Sequence, residues 1–416
     1  MIGELTKLLL VLPSNTYRAQ RFLEAATRLG IELVIATDSD FSPPGRLATI
    51  FDNISFCDAK AAGEQLAHLA RTHEIESALA VDEAGIEVAA WTNAFLKNRV
   101  ANIEGLLATR EKTTLRKILT SAGVPQPRFI ECSSAPEALK SRSWSGFPVV
   151  VKPTKGSGSL GVTLAKNQSS LEQGLDIASY VMKEMGYLDH LSLVEEYIDG
   201  PEYAVEVLVI ESKVTILAIF EKPDPLVGPA FAETIYLTPP RISKLRHDSI
   251  AECAFQVAEA LSINNGPMHI EVRITADGIC VPIDVASRSI GGRCSDALSF
   301  AFSATLEELI LSNAASIEIR STARERQASG VFMIPVQSEG VLRNIGGVKN
   351  ALAVRFIQGL EITIPYGTPL RPLPYDNQYL GFIFAKAPGP AGVEAALRQA
   401  HSLLNIEIER LPISNT

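Results

Sequence analysis

Short apolar runs alternate with helical spacings through the first hundred residues. Leu8 to Leu12 form one run, Leu23, Ala26 and Leu29 recur at helical spacing, and Leu33 to Ala36 form the next run. This alternation predicts βαβ units and a parallel sheet. A third run, Ser77 to Val81, ends in Asp82 and Glu83, which places acidic side chains at the carboxyl end of a strand, where such sheets bind ligands. No GxGxxG follows the first strand, so no dinucleotide site is expected there, and the polar turn Pro13 to Thr16 reads as a substrate contact or a helix cap. From Glu104 to Ala122 the pattern predicts one helix, stopped by Gly123, Pro125 and Pro127. Strand-rich sequence is expected from there to about Val285, followed by a helix around Leu306 to Ala315. The region from about Ser329, with short strand-like runs and a helix near Ala391 to Leu404, reads as a small α+β module.

Composition narrows the class. The 416 residues are 46% hydrophobic and 20% charged, enough for two or three ordinary cores. Lys and Arg number 38 against 47 Asp and Glu, a net charge of -9, and the basic residues are dispersed, which argues against nucleic acid as a partner. No apolar run approaches the roughly 18 to 20 residues of a membrane span, and no signal-peptide pattern opens the chain. A cytoplasmic protein without a membrane partner is expected. Cys57, Cys132, Cys253, Cys280 and Cys294 form no CxxC pair and read as buried or incidental thiols.

The segment Phe147 to Asn167 spells GxGxxG with Gly156, Gly158 and Gly161. The β-branched, apolar Val162 to Ala165 that follows predicts a strand, so the loop joins two strands and is not a Rossmann turn. No GK[ST] follows for a Walker A loop, and the chain lacks the HRD and DFG of a protein kinase. A flexible hairpin loop whose backbone N–H groups approach phosphates remains, with Lys152 and Lys155 beside it; a mobile surface hairpin is the plainer alternative.

In "VEEYIDGPEYAVEVLVI", Glu195 and Glu196 end one apolar run and Glu202 opens the next. In "MHIEVRITADGICVPIDVA", Asp277 and Gly278 lie between two alternating runs and predict a two-residue hairpin turn. Pairing about that turn sets Ile270 opposite Val285, Val272 opposite Ile283 and Ile274 opposite Val281, an apolar face. On the other face Glu271 meets Asp284. Two opposed carboxylates, with Cβ atoms roughly 5 Å apart, repel unless a positive group intervenes. A divalent cation would serve, Mg²⁺ or Mn²⁺ suiting hard oxygen ligands, and so would Arg273 on the same face. A turn one residue longer would shift this register.

Taken in order, these segments resemble the ATP-grasp superfamily, and the resemblance covers most of the chain. It implies an α/β protein with an N-terminal Rossmann-like βαβ domain over 1–103, an ATP-grasp domain over 104–325 with a lid subdomain about 126–195, and a small α+β C-terminal domain over 326–416. "TREKTTLRKIL" with "AGVPQPRF" resembles the family's entry helix, and "VVVKP" its second lysine segment, which implies Lys112 and Lys152 on the phosphates of ATP. The loop of Gly156, Ser157, Gly158, Ser159 and Gly161 resembles the lid over the β- and γ-phosphates. "VEEYIDGPE" implies Glu195, Glu196, Tyr197 and Ile198 at the adenine and Glu202 at the ribose. Glu271 and Asp284 fall on the two metal acids, although most members have Glu at the second and many an Asn where Ala286 stands. That departure, with "FEKPDPLVGPAFAETIYLTPPR" and "DVASRSIGGR", resembles the L-amino acid ligases that make dipeptides. The branch implies Glu233 near a substrate amino group or a metal, and Arg288 on the transferred phosphoryl group or a carboxylate. Some relatives carry an imidazole near the position of Tyr236, and His269 is expected in a structural hydrogen bond. The activity implied is an ATP-dependent carboxylate–amine ligation through an acyl phosphate, with amino acids as substrates and Mg²⁺ or Mn²⁺ required. A carboxylase, a purine-pathway ligase and a non-catalytic ATP-binding protein are the alternatives, and a homodimer is left open.

Overall fold

The computed structural model describes residues 6–14, 16–38, 50–97, 102–187 and 191–410. The N-terminal run contains β1 (Lys7–Val11), α1 (Ala19–Leu29), β2 (Glu32–Ala36), β3 (Ile50–Phe51), α2 (Ala59–Thr72), β4 (Ala78–Ala80) and α3 (Ile86–Leu96). The four strands form one parallel sheet in the order β3-β2-β1-β4. Near-continuous apolar strands, buried on both faces, are what a parallel sheet requires, and Leu8 to Val11 are all buried. The carboxyl ends of β1 and β4 carry Arg18 and Glu83 towards the rest of the chain.

The single helix expected over Glu104 to Ala122 is two, α4 (Ile103–Ala108) and α5 (Lys112–Ser121). The break has a local cause. Thr109 turns its hydroxyl back to the Leu106 carbonyl, and the Glu111 side chain accepts from the Thr113 and Thr114 N–H groups to cap the second helix. Lys112 therefore opens a helix and does not lie inside one.

Next come β5 (Phe129–Cys132), α6 (Ala135–Lys140), β6 (Val149–Pro153), β7 (Thr163–Ala165), α7 (Gln168–Glu184) and β8 (Ser192–Glu196). The strands pair antiparallel in the order β5-β8-β6-β7. The Gly-rich loop is the hairpin between β6 and β7, as its flanking residues predict. Helix α7 falls in sequence expected to be strand-rich. Leu171, Leu175, Ala178 and Met182 give it a buried stripe, and Asn167 with Ser170 closes a capping box at its start.

The remaining elements are β9 (Glu202–Ile210), β10 (Lys213–Lys222), β11 (Ile235–Thr238), α8 (Lys244–Ala260), β12 (Gly266–Ile274), β13 (Cys280–Ala286), α9 (Leu306–Ala314), β14 (Ala328–Pro335), β15 (Gly340–Gly346), α10 (Val348–Leu352), β16 (Ile357–Ile362), β17 (Pro369–Leu370), β18 (Tyr379–Ala387), α11 (Pro390–Ser402) and β19 (Asn405–Glu409). Eight of these strands make one antiparallel sheet, β13-β12-β9-β10-β11-β14-β18-β16. It runs through position 326, because β14 pairs with β11. Helix α8 is also a helix within sequence expected to be strand-rich; its buried Ile250, Ala254 and Val257 cover one face of the sheet together with Tyr203, Val205, Ile270 and Val272. Period-2 alternation then turns Glu202, Glu206, His269, Glu271 and Arg273 to the opposite face.

The β12–β13 hairpin departs from the predicted register near its turn. Thr275 N–H bonds the Ile279 carbonyl, so three residues, Ala276 to Gly278, make the turn. Val272 pairs with Pro282 and Ile274 with Cys280. A bulge between Glu271 and Val272 absorbs the extra residue, and Glu271 still faces Asp284 and Ile270 still faces Val285. Pro282 fits this strand because β13 is an edge strand with a bulge.

Among the described residues no helix is long and apolar enough to cross a membrane, and the five cysteines are free, all but Cys57 buried.

Candidate active site

A cleft of about 760 Å³ opens where the parallel sheet, the Gly-rich hairpin and the polar face of the large sheet meet, with Asn377, Tyr379 and Phe382 of the C-terminal region on its wall. Its floor follows from strand register. Lys222 on β10 is opposite Glu202 on β9, and Glu202 is opposite Arg273 on β12, so charges of opposite sign alternate across three strands. The Lys222 ammonium, its side chain 3% exposed, lies 2.7 Å from each of Glu202, Glu233 and Glu271. Burial opposes its charge, but the three carboxylates hold its pKa well above the lysine range. Burial also works against Glu271, yet Lys222 and His269 keep its carboxyl well below the ordinary value. For Glu233 burial wins, helped by the neighbouring Glu271, and its pKa rises. The Tyr236 hydroxyl donates to Glu233.

Arg273 does not neutralise the opposed acids. Its guanidinium bonds Glu202 at 2.8 Å and the carbonyls of Ile198 and Leu226. Lys222 takes that role for Glu271, and Asp284 has neither a hydrogen bond nor an ion pair to its carboxylate among the described residues. Glu202, Glu233 and Glu271 bring oxygens within 4.8 Å of one another, but the Lys222 ammonium already occupies the point where they converge. The donor set that best fits Mg²⁺ or Mn²⁺ is Glu271 with the unpartnered Asp284, both hard oxygen ligands.

One wall of the cleft is built from the Gly-rich hairpin. Gly156, Gly158 and Gly161 all have positive φ, at 105°, 63° and 72°, which only glycine adopts freely. A Cβ on Gly158 would stand 2.7 Å from the Asn377 amide nitrogen. Lys112 donates to the Gly156 carbonyl at 2.7 Å. Lys152 bonds the Ile283 carbonyl at 2.9 Å and Glu195 at 2.7 Å. Arg116 donates to Glu195 at 2.5 Å and to the carbonyls of Pro282 and Ile283. The bulge that leaves Ile283 outside the ladder thus supplies a carbonyl to two cations. Glu195, 2% exposed, is held between Arg116 and Lys152; burial opposes ionisation, but the two cations lower its pKa to about 2. Glu196 pairs with Arg128 at 3.0 Å, the Tyr197 ring lies under the Arg273 guanidinium, and Ser157 and Ser159 line the cleft with them.

At the other end Arg288 bonds Glu83 at 2.7 Å and Arg110 bonds the same carboxylate at 2.8 Å. Burial resists ionisation of Glu83, but Arg288 and Arg110 bring its pKa to about 2. His269 holds Glu206 at 2.6 Å, the structural hydrogen bond expected. In the turn after β1 the Thr16 hydroxyl donates to Asp82 and accepts from the Arg18 N–H at the start of α1.

The cleft therefore brings together the candidate nucleotide, metal and substrate residues read from sequence except Gly161, which stands behind it against Pro153, while Lys155 does not line it and lies over the Tyr187 ring. Three residues escaped sequence reasoning. Lys222 was visible only as a lysine at a strand end, and its meaning needs the β9–β10 register. Arg116, 2% exposed, stood on the apolar side of a helix beside Leu115 and Leu119, a position that signals a buried partner without naming it. Arg110 lay inside what read as a continuous helix.

The fold is an α/β ATP-grasp fold. Residues 145–297 match the ATP-grasp domain family and residues 332–409 match L-amino acid ligase C-terminal domain 2, so the chain carries an ATP-grasp domain followed by a C-terminal region of the L-amino acid ligase type. The structure is similar to that of an L-amino acid ligase from Bacillus licheniformis, with a TM-score of 0.82 and 23% identity over 97% of this chain and 99% of that one. It is also similar to an N5-carboxyaminoimidazole ribonucleotide synthetase from Thermotoga maritima, with a TM-score of 0.70, 19% identity, and coverage of 97% and 100%. In sequence it is 27% identical to an uncharacterized protein, y4rH, of Sinorhizobium fredii over 70% of this chain, which spans 59% of that relative.

Proposed function

We propose that this chain is an ATP-dependent carboxylate–amine ligase that joins amino acids through an acyl phosphate and releases ADP and phosphate. The observation that carries the reading is the make-up of the cleft: the Gly-rich hairpin with Lys112 and Lys152, the acids Glu271 and Asp284, Arg288, and residues of the ligase-type C-terminal region line one space. The γ-phosphoryl group of ATP passes to a substrate carboxylate oxygen and ADP departs. An amine nitrogen then attacks the acyl carbon, the C–N bond forms, the C–O bond to phosphate breaks, and the amine releases its proton. Positioning and charge neutralisation dominate such transfers.

In this reading Glu195 to Ile198 and Glu202 hold the adenosine end, while Lys112, Lys152 and the loop N–H groups from Gly156 to Gly161 receive the phosphates. Glu233 faces the substrate amino group, and Arg288, steadied by Glu83, faces the reacting carboxyl. Glu271 and Asp284 would hold Mg²⁺ or Mn²⁺, which supplies further neutralisation of the phosphoryl oxygens. The partners are small molecules and the setting cytoplasmic. Likeness to purine-pathway synthetases supports a second reading, carboxylation or ligation of that type. A phosphate-release screen over pairs of amino acids with ATP and Mg²⁺ separates the two. Release that requires amino acids is expected; release that ignores amines and needs bicarbonate would move the assignment to a carboxylase, and ATP binding without release to a regulatory protein.

A further inference from the structure

The reaction proposed above consumes one carboxylate. If the attacking amine belongs to an amino acid, its own α-carboxylate enters the cleft as an anion that survives the reaction, and needs a cation not already balanced. The cations around the cleft differ in this respect. Lys222 has three carboxylates, Lys152 has Glu195, Arg288 has Glu83, and Arg110 has Glu83 at 2.8 Å and Glu87 at 3.6 Å. Lys112 sits on the Gly-rich loop at the phosphate side.

Arg18 is different. It is 8% exposed, and its Nη1 donates to the carbonyl and the hydroxyl of Ser289, both at 2.9 Å and both neutral. Arg288 Nη1 donates to the same carbonyl at 2.8 Å, so two guanidinium groups converge on one oxygen. The nearest carboxylate to Arg18 is Asp82, 3.7 Å from Nε, and its oxygens already accept from the Thr16 hydroxyl and the Glu83 N–H. The Nε of Arg18 is buried without a hydrogen-bond partner, and its Nη2 has none among the described residues. In front of Nη2 stands Gly291, where a Cβ would lie 3.6 Å from Nη2 and 3.7 Å from the Tyr17 hydroxyl; without that side chain the space stays open. Tyr17, Arg18 and Gly291 all line the cleft.

Arg18 is buried with neutral hydrogen-bond partners, and its one carboxylate, Asp82, stands 3.7 Å off and accepts from other groups, so its charge is only partly matched, while its planar fork suits the two oxygens of a carboxylate. We propose that Arg18, with the Tyr17 hydroxyl beside it, binds the α-carboxylate of the amine substrate, so that this substrate is an α-amino acid and not a simple amine or an amino-acid amide. The proposal rests on the ligase reading for the identity of that substrate. It also gives the two arginines on Ser289 separate duties, Arg288 at the carboxyl that reacts and Arg18 at the carboxyl that does not.

The test compares each proteinogenic L-amino acid with its α-amide on the full chain with ATP and Mg²⁺, by thermal shift and by phosphate release. At least one amino acid should raise the melting midpoint where its amide does not. Arg18→Gln should erase that difference and keep the shift caused by ATP. Arg18→Lys, which keeps the charge near Asp82 and guards against misfolding of the Gln variant, should raise KM for the amine-side amino acid roughly ten- to a hundred-fold and leave KM for ATP unchanged. Amides that bind as well as acids, no shift with any acid, or a Lys variant whose KM for the amine-side amino acid is unchanged would each reduce Arg18 to a tether on Ser289. Phosphate release indifferent to every amino acid would remove the ligase reading, while the thermal comparison would still decide whether Arg18 binds a carboxylate.

Discussion

Glu195 illustrates how one side chain ties the proposed adenosine end of the cleft to the fold. Its carboxylate joins Arg116 on α5 to Lys152 on β6, so Glu195→Gln leaves two buried cations without their counter-charge. The expected loss is about 3 kcal/mol at pH 7. The pH dependence has a fixed sign: with a folded pKa of about 2 against an ordinary 4.5, the stabilisation is present above 4.5 and is lost as pH falls through 2. Urea midpoints of the wild type and the Gln variant should therefore differ at neutral pH and converge between pH 4.5 and 2; equal midpoints at pH 7 would show that the pair contributes nothing net. Asp284 is the opposite case. Lacking a partner among the described residues and facing Glu271 across the ladder, it should tolerate Asp284→Asn with stability unchanged or slightly raised without metal, while Mg²⁺-dependent turnover disappears. A variant that unfolds readily yet still turns over would defeat the metal assignment.

At the scale of elements, the Gly-rich hairpin is docked and not free. The Gly161 N–H bonds the Pro374 carbonyl at 2.8 Å and Asn377 donates to the Ser157 carbonyl at 3.2 Å. Arg371 meanwhile bonds the Tyr180 hydroxyl on α7 and stacks on Tyr375. The segment before β18 thus holds the loop and the helix behind it. Asn377→Ala should make the loop more sensitive to limited proteolysis without nucleotide, with ATP restoring most of the protection. Equal cleavage of wild type and variant, with and without ATP, would show that these contacts do not set loop closure. The β12–β13 hairpin carries a related lesson. Its three-residue turn alone would have parted Glu271 from Asp284, and the bulge at Ile283 restored their opposition while offering its carbonyl to Arg116 and Lys152.

For the whole molecule, the proposed chemistry predicts ADP and phosphate, and hydroxylamine should trap the acyl intermediate as a hydroxamate of the carboxylate substrate. Arg288→Ala should depress trapping more than it weakens ATP binding, because Arg288 lies at the Glu83 end of the cleft and Glu195 at the other. AMP among the products would point to an adenylating enzyme instead. Much of this architecture was legible along the chain, because period-2 and helical spacings, Gly-rich turns and acids at strand ends are local signals: the parallel N-terminal strands and the hairpin that carries Gly156 to Gly161 follow from neighbours in sequence, whereas Glu271 faces Asp284 only because a bulge offsets a turn one residue longer than the sequence predicts. Helices α7 and α8 have local signals too, in their stripes and caps, but these were masked by the strand-like sequence around them. The rest depended on residues that are far apart in the chain. Lys222 became the centre of three carboxylates only through the register of β9, β10 and β12, Arg116 acquired Glu195 only when α5 packed on β8, and Arg18 came to share the Ser289 carbonyl with Arg288 only when the parallel sheet closed on the large one. Residue types and local periodicity determine which elements form; which charge meets which partner depends on distances that exist only after those elements pack.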